Sequence, residues 1–346
     1  MKKIAIIGHF GFKGNYLDGQ TIKTKIVANA LEKQLGADQV EKIDTHGGKK
    51  VLPKLFFRTI SALRHNKNVV MLPAYNGIKF FTPILTFFNK FFKRKLFYVV
   101  IGGWLADYLQ DKKGLTKRLQ KFDGIFVETN TMKTALENMG FKNIFVMPNC
   151  KELTILSEEQ LIYPENKPYK LCTFSRVSKE KGIEDAVNAV KSVNEQNDRI
   201  VYTLDIYGPI DKNQTEWFET LQLDSPDYIK YGGAVPYDKS VEVLKNYFAL
   251  LFPTKSFTEG IPGTIIDAYA AGIPVISAKW ESYDDVVKEK VTGIGYSFNN
   301  ICEFETILNG VAINPISVIS LKRNCLNEAE SFLPSNVIKV FMEQLE

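Results

Sequence analysis

The chain is poor in cysteine and histidine and has no long apolar run. Its four cysteines, Cys150, Cys172, Cys302 and Cys325, form no CxxC pair and show no metal-ligand spacing. This argues against a disulfide framework or a zinc site and for a reducing, cytosolic setting. There are only three histidines, His9, His46 and His65. No apolar stretch reaches the roughly 18 residues that a spanning helix needs. Met1-Lys2-Lys3 leads straight into an apolar strand, without an h-region and cleavage site, which argues against secretion. There is no solenoid-period repeat and no low-complexity segment. The glycines at 8, 11 and 14 do not fit G-x-G-x-x-G spacing, which counts against a dinucleotide-dependent dehydrogenase. Asp284-Asp285 is adjacent rather than spaced, so no DxD-type pair argues for a metal.

What is present is globular. The 346 residues are 45% hydrophobic and 24% charged, with 24 Phe and 15 Tyr, which suits two domains of ordinary size. Charge is unevenly placed. Residues 1–165 hold 26 Lys and Arg against 14 Asp and Glu, a net +12, and the remainder nets −7. The basic half fits an anionic surface or substrate; solvated lysines without a partner are the other reading.

Short apolar runs alternate with amphipathic stretches. Strands are expected at 3–7, 69–72, 97–101, 124–127 and 144–147, with helices at 19–35, 53–65, 78–92, 114–121 and 131–139. The pattern lapses around 148–169, the expected linker, and restarts with strands at 171–175, 201–207, 228–231, 249–252, 275–278 and 293–296. Unbroken apolar strands alternating with helices mean parallel sheets covered on both faces. The expectation is an α/β chain of two tandem doubly wound, Rossmann-like domains, 1–160 and 166–332, facing across a ligand cleft. A terminal helix, about 333–346, is expected to return to the first domain.

Two segments carry chemistry. In Ser175-Arg176-Val177-Ser178-Lys179-Glu180-Lys181-Gly182-Ile183 a strand ends and a helix begins near Gly182. Arg176 and Lys181 flank a helix N-terminus, an arrangement suited to phosphate; two exposed basic residues on a surface turn are the plainer alternative. The second runs from Phe257 to Val275, with Glu259 in a loop, Pro262 at a helix start, Asp267 about one turn in, Gly272 at the C′ position and Pro274 forbidding continuation. Carboxylates there accept hydrogen bonds from ligand hydroxyls, and Gly260 and Gly263 let a ligand approach the backbone closely.

These segments, in this order and spacing, resemble the donor half of family 4 glycosyltransferases, retaining enzymes of the GT-B fold. The family signature, a Glu followed after seven residues by a second Glu, is matched by Glu259 and Asp267, the second acid being one methylene shorter. Arg176 and Lys181 match the family's diphosphate-binding pair, and Gly182 its following glycine. The resemblance also takes in Tyr207-Gly208-Pro209 and Tyr231-Gly232-Gly233-Ala234-Val235, the latter resembling a nucleobase-facing segment. It implies a retaining transfer of sugar from a nucleotide-diphosphate sugar, such as a UDP-sugar, to an acceptor hydroxyl. Arg176 and Lys181 would stabilise the departing diphosphate, Glu259 would hold sugar hydroxyls and Asp267 the ribose. Gly19, Gly182, Gly260, Gly263, Thr264, Tyr207, Gly208 and Tyr231 would surround the donor. The leaving phosphate itself could take the acceptor proton, and no metal or other cofactor is implied.

The N-terminal half would bind the acceptor. Gly8 to Gly14 and Asp18-Gly19-Gln20-Thr21 resemble the glycine loop over the donor, with Asp18 where many members have glycine. The family's His after the fourth strand is absent from Ile101-Gly102-Gly103-Trp104-Leu105-Ala106-Asp107. The acceptor side is therefore read at His9, Trp104 and Asp107; a structural role for a strand-end His9 is equally open. Lys79 to Lys95 holds six phenylalanines and ends in a basic cluster. It reads either as a helix lying in an anionic membrane interface or as a core-facing crossover helix. The expected partners are a nucleotide-sugar and a glycan or lipid-linked acceptor in cell-surface polysaccharide or glycoconjugate synthesis, with no nucleic acid. The expected location is the cytoplasm, peripheral on the inner face of the membrane where lipid is bound. The alternatives are a non-catalytic GT-B subunit supporting a partner transferase and a GT-B nucleotide-sugar epimerase.

Overall fold

The computed structural model describes residues 1–12, 14 and 19–345, with Lys49 described in its backbone only. The chain divides into two compact units, Met1–Glu152 with Phe332–Glu346, and Leu153–Ser331.

The first unit is built on six parallel strands: β1 (Lys2–Gly8), β2 (Val40–Asp44), β3 (Asn66–Met71), β4 (Lys95–Val99), β5 (Gly124–Val127) and β6 (Ile144–Val146), in the order β2-β1-β3-β4-β5-β6. Ile4 to Ile7, Val69 to Met71, and Tyr98 with Val99 are fully buried, as befits a parallel sheet covered on both faces. Strand order reverses between β1 and β3, whose crossovers run to opposite sides of the sheet. The chain end closes one face of this unit. Helix Pro334–Met342 buries Val337, Ile338 and Phe341, the last with its ring 4.7 Å from Phe126 and 5.3 Å from Phe97.

The second unit repeats the plan with β7 (Tyr169–Phe174), β8 (Tyr202–Tyr207), β9 (Ile229–Gly233), β10 (Ala249–Phe252), β11 (Val275–Lys279) and β12 (Gly293–Ser297). The order is β12-β11-β10-β7-β8-β9, so the reversal falls between β7 and β10. In open α/β sheets the crevice outside the carboxyl ends of such a strand pair is where ligands sit. The two doubly wound sheets expected from the alternation are both present.

The sequence reading omitted β2. Its five residues alternate Val40 and Ile43 with charged Glu41, Lys42 and Asp44 at a sheet edge, where one side of the ladder is unpaired. A short helix, Leu105–Leu109, was also not anticipated.

Candidate functional site

In the second unit the loops after β7 and β10 lie against each other. Gly182 is the hinge of this contact. It adopts φ +68° and caps helix Ile183–Gln196, and a Cβ there would stand 1.8 Å from the Pro253 carbonyl oxygen. Only glycine permits both the left-handed backbone and the close approach. Lys255 N donates to the Glu180 carbonyl at 2.9 Å, and Lys255 Nζ pairs with Asp185 at 2.8 Å, fixing the two loops further.

This packing brings Lys181 to Glu259 as an ion pair, with side chains 26% and 18% exposed. Thr254 Oγ1 donates to the same carboxylate at 3.3 Å, and Lys181 Nζ lies 5.8 Å from the Phe252 ring centre. Arg176 is more open, 61% exposed, with Asp211 at 3.8 Å. The reversal point thus presents Arg176 beside Asp211 and Lys181 beside Glu259 at a helix N-terminus, a set that suits an anionic ligand bearing hydroxyl groups.

The loops after β8 and β9 join from the other side. Gly208 adopts φ +134°, and a Cβ would fall 1.8 Å from the Ser175 carbonyl oxygen. Gly208 N donates to the Gly233 carbonyl at 2.9 Å, and Tyr231 Oη donates to the Gly208 carbonyl at 2.9 Å. Gly232 lies under the Tyr207 ring, where a Cβ would come within 2.1 Å of it. Arg176, Tyr207, Gly208 and Tyr231 therefore belong to one connected rim. Tyr247, which sequence reasoning missed, fixes that rim from below: its hydroxyl lies 2.7 Å from Asp205 and 2.9 Å from the Tyr207 hydroxyl. Burial, then the Tyr207 and Asp205 hydrogen bonds, push the Tyr247 phenol well up.

Asp267 follows Glu259 by eight residues. It is 3% exposed, in the helix Gly263–Ala270, and accepts from the buried Ser240 hydroxyl at 2.9 Å. Ser240 was also missed; it lies 27 residues away, and no local pattern links it to Asp267. Gly260 is buried and Gly263 opens the helix. Thr264 Oγ1 is shut from solvent and has no hydrogen-bond partner among the described residues.

In the first unit Asp44, at the end of β2, gathers the loop after β1. It accepts from Phe10, Gly11 and His46 N at 3.0–3.1 Å through Oδ1, and from Phe12 N at 3.1 Å through Oδ2. Burial raises its pKa, but these four donors together outweigh that and hold it below the usual carboxylate value. His9 Nε2 and His46 Nδ1 lie 3.2 Å apart, so His9 faces another imidazole. Trp104 donates its indole N–H to the Ile101 carbonyl at 2.8 Å and stacks on Tyr75 at 4.1 Å, while Asp107 is exposed. Tyr75 in turn lines a cavity of about 700 Å³ with Thr45, Leu52, Asn76 and Phe80. Gly19 opens helix Gly19–Leu35 with nothing among the described residues within 4 Å of a Cβ. Asp18 lies outside the described residues. Behind the loop, Lys23 and Glu128 form an ion pair at 2.5 Å with side chains 2% and 3% exposed.

Among the described residues no group of three or more His, Cys, Asp or Glu side chains is placed to hold a metal ion.

Residues 158–329 match the family model described as Glycosyl transferases group 1. The chain is 30% identical over 158 residues to the UDP-N-acetylglucosamine--peptide N-acetylglucosaminyltransferase GtfA subunit of Streptococcus gordonii, covering 45% of this chain and 30% of that protein. It is 24% identical over 132 residues to the amylovoran biosynthesis glycosyltransferase AmsK of Erwinia amylovora, covering 37% and 32%. These matches span about a third of the relatives' own length. Among solved structures, Anabaena Alr3699/HepE in complex with UDP superposes with a TM-score of 0.75 at 14% identity, covering 99% of both chains. The lipopolysaccharide outer core galactosyltransferase WaaB, in its apo form, gives 0.74 at 16%, again covering 99% of both. At such identities the superpositions speak for the fold, and the group 1 match coincides with the unit that holds Arg176, Lys181 and Glu259. The chain thus has the GT-B fold, and its second unit carries the match to the Glycosyl transferases group 1 family.

Proposed function

We propose that the protein transfers a sugar, with retention of configuration, from a UDP-sugar to an acceptor hydroxyl in polysaccharide or glycoconjugate synthesis. The observation that carries this reading is the Lys181–Glu259 ion pair at the reversal of the second sheet, with Arg176 on the adjoining rim. Arg176 and Lys181 would stabilise the charge that develops on the leaving diphosphate, and Glu259 would hold hydroxyls of the transferred sugar. Tyr207, Gly208 and Tyr231 would form the nucleoside side of the rim, and Asp267 would take the ribose hydroxyls. In this reading Arg176 and Lys181 supply the charge that a metal would otherwise bring, and the leaving phosphate takes the acceptor proton. The acceptor is a glycan or lipid-linked precursor at the inner face of the cell membrane. A solved neighbour in complex with UDP and a relative in amylovoran biosynthesis support the donor and pathway class.

The test is release of UDP from a panel of UDP-sugars, with and without polyprenyl-phosphate-linked sugar acceptors, and product anomer assignment by NMR. Acceptor-dependent UDP release with an anomer matching the donor supports the reading. Inversion, or release with other nucleotides only, contradicts it.

A further inference from the structure

Helix Tyr75–Phe92 carries two stripes rather than one. Ile78, Phe81, Thr82 and Leu85 are buried and face the sheet core. Phe87 and Phe91 point the other way, 53% and 73% exposed. Neighbouring helix Leu52–His65 buries Leu55, Thr59, Ala62 and Leu63 and exposes Phe57 by 70%. The rings join across the two helices. Phe57 lies 5.5 Å from Phe56, Phe56 5.8 Å from Phe88, Phe88 5.1 Å from Phe87, and Phe87 6.3 Å from Phe91. The result is one continuous ribbon of five phenylalanines, three of them largely in solvent. Lys79 to Lys95 therefore carries a core-facing stripe and an exposed aromatic stripe on opposite faces.

The charge around this ribbon has one sign. From Thr45 to Ala106 the chain has no Asp or Glu, while Lys and Arg occur eleven times. Lys54, Lys79, Lys90 and Lys93 are exposed, and Lys90 Nζ stands 5.8 Å from the Phe87 ring centre. Not every cation of the cluster belongs to the surface. Arg94 Nε donates to the Leu63 carbonyl at 3.0 Å, and Lys95 Nζ to the Gln344 carbonyl at 3.1 Å, so both serve the fold.

Exposed aromatics of this extent mark an interaction surface. Interfaces between proteins are depleted in lysine at their centre, whereas this ribbon is interleaved with it. An anionic bilayer satisfies both components, taking phenylalanine into the headgroup–acyl boundary and lysine onto lipid phosphates. Among the described residues no single helix is long and apolar enough to cross a membrane, so the contact is a surface one. We propose that this face of the first unit seats on an anionic lipid surface through Phe57, Phe87 and Phe91, with Lys54, Lys90 and Lys93 against lipid phosphates. The proposal extends the functional reading to a partner, yet its assay needs neither donor nor acceptor, so each can fail without the other.

Flotation of the full chain with vesicles of phosphatidylglycerol and phosphatidylcholine in equal parts, against pure phosphatidylcholine, tests it. Wild type is expected to float with the anionic vesicles only. In 1 M salt the Debye length falls to about 3 Å and the bound fraction should collapse. Lys54→Gln, Lys90→Gln and Lys93→Gln combined should weaken partitioning by on the order of a hundredfold. Phe57→Ser, Phe87→Ser and Phe91→Ser combined should abolish it, both variants melting within a few degrees of wild type because the altered side chains are exposed. No vesicle binding by wild type, equal binding to neutral vesicles, or variants that bind as wild type does would each overturn the proposal. So would a concentration-dependent dimer in sedimentation that the serine variant abolishes while no vesicle binding occurs, since the ribbon's occupant would then be a second copy.

Discussion

Lys181 and Glu259, 78 residues apart, neutralise each other at the reversal of the second sheet. The cation assigned to the diphosphate and the carboxylate assigned to the sugar are therefore preorganised by one another before donor arrives. Glu259→Gln keeps the shape but removes the charge that orients Lys181. Its effect is expected mainly in turnover, by on the order of a hundredfold, with a smaller change in donor KM. Steady-state kinetics with purified donor read this directly. An unchanged kcat would remove Glu259 from the reacting centre.

Asp267 and Ser240 form a buried pair, so substitution there has two signatures. Asp267→Asn is expected to raise donor KM with little change in kcat, because a ribose contact is equal in ground and transition states. Ser240→Ala removes a hydrogen bond to a buried carboxylate and should lower stability by about 1.5–3 kcal/mol. Thermal melts and kinetics on both variants separate the roles. If Asp267→Asn lowers Tm and leaves KM unchanged, the residue is structural and the ribose assignment is wrong.

Gly182→Ala and Gly208→Ala test the close packing of the loops. Each adds a Cβ 1.8 Å from a carbonyl oxygen at positive φ. The expected loss is about 3 kcal/mol or more per substitution, a drop in Tm on the order of 10 °C. Gly19→Ala, with nothing among the described residues within 4 Å of its Cβ, should melt as wild type does. Differential scanning calorimetry on the three variants reads the contrast, and equal Tm values for all three would refute the packing argument.

That contrast also shows what the sequence could and could not reveal. Glycines at 19, 182 and 208 look alike in a string of letters, and only the neighbouring backbone separates the two that are sterically required. The strand-to-helix turns bearing Arg176 and Glu259 were legible because apolar strands end just before them and glycine or proline marks the helix starts. The adjacency of those turns was not local information: it follows from the strand order that puts β10 beside β7. Tyr247 and Ser240 were invisible for the same reason, since each acts on a residue about 30 or 40 positions away. β2 was missed because an edge strand tolerates the charges that mask its pattern, and with it went Asp44, which anchors the loop after β1.

Lys322 gives the fold a pH signature of its own. It is fully buried, and its ammonium donates to the Tyr247 carbonyl at 3.1 Å. Burial holds its pKa down to about 8, against opposing effects of Cys325 and Cys172. An unfolded lysine titrates near 10.4, so the unfolded state binds the extra proton between these values. The lysine therefore costs about 3 kcal/mol below pH 8, and the cost fades as pH rises toward 10. Lys322→Met should melt above wild type at pH 7, with the gap narrowing by pH 9.5. Paired melts across that range isolate the lysine from the buried thiols and phenols, which are common to both proteins. A gap that is constant with pH would mean that Lys322 is not a protonated buried cation.

The central claim is that the loops after β7 and β10 bind a nucleoside diphosphate through Arg176 and Lys181. Titration of UDP against wild type, Arg176→Ala and Lys181→Ala, followed by thermal shift, tests it most directly. Ligand at 100 times its dissociation constant stabilises by about 2.7 kcal/mol, a readily measured rise in Tm. The account predicts that rise for wild type and its loss in both variants, which fold normally without ligand. No shift in wild type, or the same shift in all three proteins, would contradict it.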